Sequence, residues 1–264
     1  MGLHSEKMHR ISGIAPNAGM HDVPRIGAIG LRRLLARVLC LCVATPVLAA
    51  TPPELLAATA DPPVVEIRGD TVYYTGGFKV DSMAVFHSAV APLRRGQVTR
   101  LVIRSGGGDT IAGRIVGRWV HKMALAVEVD QICFSSCADY VFPAGRARVI
   151  RANAFVGWYG NERQMAILAA RRGTSVEQEF ERLLPAELRR DEPAKAREFV
   201  QMLTSQWRTT TLPDEQAFYR EIGIDDAFAV CAVGDVLDAR STPETRGWGF
   251  SLADMARLGM PDTV

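Results

Sequence analysis

Thr99-Arg100-Leu101-Val102-Ile103-Arg104-Ser105-Gly106-Gly107-Gly108-Asp109-Thr110-Ile111-Ala112-Gly113 is the stretch whose reading decides the fold. A β-branched run leaves a charged loop, meets three glycines and opens onto an apolar-periodic segment. This predicts a strand, a tight turn and a helix start. Without Cβ atoms, successive glycines can turn their N–H groups outward, and the helix that follows adds its positive end. Such a turn suits a phosphate or an oxyanion formed during reaction; it equally serves as a plain strand-to-helix connection.

The chain has 264 residues, 48% hydrophobic and 23% charged, enough for one sizeable core. A net charge of +2 is too small to argue for nucleic acid. Much of the basic excess lies at Arg10, Arg25, Arg32, Arg33 and Arg37, ahead of the apolar stretch from Val38 to Ala50. Residues 1–50 therefore read as a secretory signal peptide with a long n-region, with Met20 as an alternative start and cleavage near Ala49. The expected location is periplasmic or secreted, with membrane anchoring only if the segment stays uncleaved. Three cysteines then remain, Cys133, Cys137 and Cys231, of which one pair is expected to bridge in an oxidising compartment. The spacing does not choose the pair. A CxxxC without nearby histidines is a poor zinc site, so no metal or other cofactor is expected.

Residues 51–62, rich in Pro, Ala and Thr, read as a linker, and 63–264 as a single domain. Val64–Ile67 and Val72–Tyr74 alternate as strands around Arg68-Gly69-Asp70, a hairpin turn rather than an adhesion motif. Asp81 is expected to cap a helix carrying Met83, Phe86 and Val90; Ile111, Ile115, Trp119 and Val120 mark a second helix ending near His121-Lys122. Leu125–Val129 is the next strand, and Cys133-Phe134-Ser135-Ser136-Cys137-Ala138 an elbow entering an apolar helix. Two further strands are expected at Arg148–Ile150 and Ala154–Trp158. Residues 161–222 predict three or four helices with solvated charged faces, broken at Gly173, Pro185, Pro193 and Pro213. Ala227–Cys231 reads as a late strand, and Ser251 as the cap of a short closing helix.

With both turns in view, residues 72–160 resemble the Clp protease/crotonase superfamily, in particular its exported Clp-protease-like branch. Tyr74-Thr75-Gly76-Gly77 resembles the first strand and glycine turn of that family. Ser105-Gly106-Gly107-Gly108 resembles its Ser-Pro-Gly-Gly turn, with Ala112-Gly113 at the matching offset, and Ser136 falls at its nucleophile with Ala144-Gly145 beyond. The resemblance implies an α/β fold, a spiral of β-β-α units with a helical C-terminal part, and self-association into rings. It also implies Ser136 as nucleophile, with Ser135 as the alternative one residue away. The oxyanion would be held by the backbone N–H groups of Cys137 and of a glycine such as Gly107 or Gly108. Where the family has its histidine this chain has Tyr159, a group only about one part in a thousand ionised at pH 7 at its reference value. After cleavage only His87 and His121, and Lys79, Lys122 and Lys195, could serve as another base.

Two readings of different class follow. One is a non-catalytic descendant that keeps turn and elbow to bind a peptide or protein ligand. The other is an active serine hydrolase or peptidase with Ser136 attacking and Tyr159 or a lysine as base. Crotonase-type chemistry ranks behind both, because thioester substrates argue for the cytoplasm and the leader argues for export.

Overall fold

A computed structural model describes residues 57–231, 233 and 247–264; the leader, residues 51–56 of the linker, residue 232 and residues 234–246 lie outside the described residues. The hairpin forms as expected. Strands β1 (Val64–Arg68) and β2 (Thr71–Thr75) pair antiparallel around Gly69-Asp70. Every later pairing in the sheet is parallel: β2 with β3 (Arg100–Ser105), β3 with β4 (Ala126–Phe134), and β4 with both β5 (Ala147–Ile150) and β6 (Phe155–Gly157). Parallel neighbours need a crossover, and helices α1 (Met83–Val90) and α2 (Thr110–Met123) supply two of them.

The sheet has two tiers, because β5 and β6 share one edge of β4 end to end. Val129 of β4 pairs with Ile150, whereas Cys133 pairs with Val156. The same step recurs in β3, whose register on β4 shifts between Ile103 and Ser105, and again where Phe78 bridges Gly108. Each unit thus runs strand, short second-tier strand, helix. This is the β-β-α spiral expected from the sequence, and it brings the second-tier ends together at one edge.

Several local expectations are corrected. Asp81 lies inside a short 3-10 turn, Val80–Ser82, and Ser82 is the N-cap of α1 without a side-chain hydrogen bond. The buried stripe of α2 is Ala112, Val116, Val120 and Met123, one residue round from the expected one, because Gly113 and Gly117 let the helix approach its neighbours closely. After the elbow the helix is a single π turn, Cys137–Val141. Residues 161–222 hold five α-helices, α3 (Gln164–Arg172), α4 (Val176–Leu183), α5 (Ala186–Asp191), α6 (Pro193–Gln206) and α7 (Leu212–Ile222), with a π turn, Trp207–Thr211, between the last two. A proline at a first turn costs no helical donor, so Pro193 opens α6, whereas Pro213 comes just after that π turn, through which α6 runs into α7 without a break. The stretch Ala227–Cys231 is not a strand. Asp225 accepts a hydrogen bond from Ala227 N at 2.9 Å and sets up a 3-10 turn, Asp226–Ala229, that buries Phe228 against Trp158. Ser251 caps the closing helix α8 (Leu252–Arg257), as expected.

Candidate functional site

Two loops distant in sequence meet at the second-tier edge. Gly107 has φ +85°, and a Cβ placed on it would stand 2.4 Å from Phe134 O and 2.9 Å from both Ser135 Cβ and Ser136 N. Only glycine can occupy this position, for backbone conformation and for space alike. The glycine turn and the serine elbow therefore touch.

At this junction the two serines differ. Ser136 is 1% exposed, and its Oγ donates to Gly108 O at 2.7 Å, pinning the elbow to the turn. Ser135 takes the left-handed conformation, φ +55°, and stays partly exposed; its N–H is held by Gly157 O at 2.9 Å, at the end of β6. The glycine N–H groups are also distinguishable. Gly106 donates to Ala58 O at 2.8 Å and Gly107 to Ser105 Oγ at 3.1 Å. Among the described residues, the N–H groups of Gly108 and Cys137 make no hydrogen bond. Cys133 and Cys137 form a disulfide that encloses both serines in its loop.

The candidate bases are spread apart. Tyr159 lies two residues beyond Gly157 on the strand end that holds Ser135, and is 36% exposed. His121 sits eleven residues down α2 from Thr110, about 16 Å at 1.5 Å per residue. His87 lines a shallow surface cavity with Trp119 and Lys122 at that same far end. Lys79 pairs with Asp61 at 2.7 Å, and Lys195 with Glu192.

Beneath the elbow lies a polar cluster that sequence reasoning missed. Glu215 of α7 is fully buried; its Oε1 accepts from Tyr140 Oη at 2.5 Å and from Glu162 N at 3.1 Å, while Oε2 has no partner. Burial, with the Glu162 charge adding to it, pushes the Glu215 carboxyl up to about 7. Asp139, on the π turn three residues after Ser136, is 1% exposed and is raised well above the carboxylate range by burial and then by Glu215. Glu162 accepts from Thr110 Oγ1 at 2.6 Å beside the glycine turn, and burial raises it too. Arg114, fully buried, donates from Nε to Asp214 at 2.7 Å and stacks 5.3 Å from the Tyr140 ring. Among the described residues no group of His, Cys, Asp and Glu is arranged to hold a metal ion.

Fold and site define a class: an α/β protein of β-β-α units whose glycine turn faces a disulfide-closed serine elbow. No family model and no curated protein matches the chain. Among solved structures it is similar to an enoyl-CoA hydratase from Thermoplasma volcanium GSS1, at 12% identity and TM-score 0.32 over 68% of this chain and 96% of that one. A putative enoyl-CoA hydratase/isomerase from Acinetobacter baumannii gives 11% identity and TM-score 0.32, over 70% and 98%. An enoyl-CoA hydratase from Mycobacterium avium subsp. paratuberculosis K-10 gives 14% and 0.32, over 70% and 92%. At these TM-scores the likeness carries no argument about the reaction.

Proposed function

We propose that this chain is an exported, Clp-protease-like binding protein that holds a peptide or protein ligand at the junction of turn and elbow without using serine as a nucleophile. The observation that carries this reading is the Ser136 hydroxyl, buried and donating its proton to the Gly108 carbonyl. A nucleophilic serine needs a base to take that proton, and a peptide carbonyl oxygen is not one. The free N–H groups of Gly108 and Cys137 suit a ligand carbonyl at the same point. The basic and apolar leader supports export, and the Cys133–Cys137 bridge suits an oxidising compartment.

A second reading has one observation in its favour. Ser135 occupies the left-handed elbow position and is partly exposed beside Gly107, so a hydrolase would use Ser135 with Tyr159 as its base. A fluorophosphonate probe separates the two. The binding reading expects no labelling of the wild type, of Ser135→Ala or of Ser136→Ala. Labelling of the wild type that disappears in Ser135→Ala would establish the hydrolase instead, and labelling lost only in Ser136→Ala would refute the sealed-serine argument.

A further inference from the structure

The last residues of the stretch read as a linker lie across the glycine turns, and they are held in the manner of a bound peptide. Ala58 O accepts from Gly106 N at 2.8 Å, and Ala60 O accepts from Gly77 N at 3.0 Å. The Ala58 side chain is fully buried. A Cβ on Gly76 would stand 2.7 Å from Ala60 O, and one on Gly106 would stand 3.0 Å from Thr59 Cγ2. Beyond them the Asp61 carboxylate takes Lys79 Nζ at 2.7 Å and the Ser82 hydroxyl. The receiving groups all belong to the β2–α1 connection and the glycine turn. They comprise two main-chain donors and an ammonium–hydroxyl pair for a carboxylate, and between them the Ala58 side chain occupies a seat shut off from solvent.

We propose that this face is a recognition site for a short peptide with a small residue followed three positions later by an acidic one, occupied here by the chain's own residues 57–61. The proposal rests on the binding reading above and names the chemistry of its ligand. Main-chain donors give affinity without sequence preference; here they meet carbonyls at the end of a helical turn, in which Ala57 and Ala58 are helical and Ala60 N donates back to Ala57 O at 3.2 Å. Selectivity comes from the Ala58 seat, which a larger side chain overfills, and from Lys79, which rejects a basic residue at the Asp61 position. An incoming peptide that takes the Gly77 and Gly106 donors must displace the intramolecular segment from them.

Amide hydrogen exchange on the full chain tests this. In the wild type the Gly77 and Gly106 amides are protected by the segment, and the Gly76 amide is protected independently through Arg104 O. Ala58→Arg is expected to speed exchange at Gly77 and Gly106 by about tenfold or more while Gly76 keeps its rate. A synthetic peptide of residues 57–63 should then restore protection, and the same peptide with lysine at the Asp61 position should not. Unchanged protection in Ala58→Arg, or lost protection that the peptide fails to restore, overturns the proposal. If Ala58→Arg also frees Gly76, the charge pair decides. Asp61→Lys must expose Gly77 and Gly106, and adding Lys79→Asp must protect them again; failure of that rescue overturns the proposal equally. A labelled serine in the probe experiment would defeat the non-catalytic reading while leaving these exchange results standing.

Discussion

Replacing Glu215 by glutamine should stabilise this protein at neutral pH, by an amount that depends on pH in a defined way. The carboxyl is fully buried with Oε2 unpartnered, and its pKa is pushed from 4.5 up to about 7. An acid whose folded-state pKa exceeds its unfolded value holds its proton more tightly when folded. Its stabilising contribution is therefore complete below about pH 4.5, falls as pH rises, and is gone above about pH 7. The difference of about 2.5 units corresponds to about 3 kcal/mol of stability lost across that window. Glutamine keeps an oxygen for Tyr140 Oη and Glu162 N and cannot ionise. It also removes one charge from among Asp139, Glu162, Tyr140, Tyr219 and Arg114, which face the same pocket. Thermal melts of wild type and Glu215→Gln from pH 4 to pH 8 should coincide at the acid end. They should separate to about 6 °C or more at the neutral end, taking about 2 °C per kcal/mol as the lower bound for a domain this size. A constant gap across the range, or a less stable variant at pH 8, would refute the assignment of an ionisable group trapped in this pocket.

Gly107→Ala combines a positive φ with a Cβ 2.4 Å from Phe134 O, so we expect a loss of about 3 kcal/mol or more in urea unfolding, with the midpoint lowered accordingly. Gly173 offers the control. It too has positive φ, but nothing lies within 4 Å of an added Cβ, so Gly173→Ala should cost only the backbone strain. The double variant Cys133→Ser, Cys137→Ser opens a loop of sequence separation four, for which chain entropy predicts a loss of about 2 kcal/mol in denaturant unfolding. Blocking free thiols before reduction, then alkylating the newly released thiols with a second reagent and mapping them by mass, identifies which two cysteines the bridge had held.

The alternation of β-branched runs, glycine turns and amphipathic stretches was legible because each signal is local. A run such as Leu101-Val102-Ile103 before three glycines constrains its own backbone whatever surrounds it. The convergence of Gly107 on Ser135 and Ser136 was implied by the family resemblance, since neither turn alone says where the other lies. Which serine is sealed did not follow, because it turns on the left-handed φ +55° at Ser135 and on bonds between distant residues, Ser135 N to Gly157 O and Ser136 Oγ to Gly108 O. The acidic cluster escaped notice for a related reason. Glu162, Glu215, Asp139 and Arg114 come from four separate segments, and a charged residue in isolation reads as solvated.

A signal was nevertheless present. Glu215 shares its helix face with Phe218 and Tyr219, three and four residues on, and Asp139 interrupts an apolar run between Ala138 and Tyr140. A carboxylate on an apolar face is stable only if a donor meets it or a proton neutralises it. Here both occur at one residue: Tyr140 and the Glu162 amide supply donors to one oxygen, and the other is left for a proton. The helical segment whose charges read as solvated therefore carries the group that lies under the elbow, and Tyr140, one turn of chain beyond Ser136, joins the two. A ligand that shifts the elbow far enough to change the Tyr140–Glu215 contact would have its affinity linked to the ionisation of Glu215.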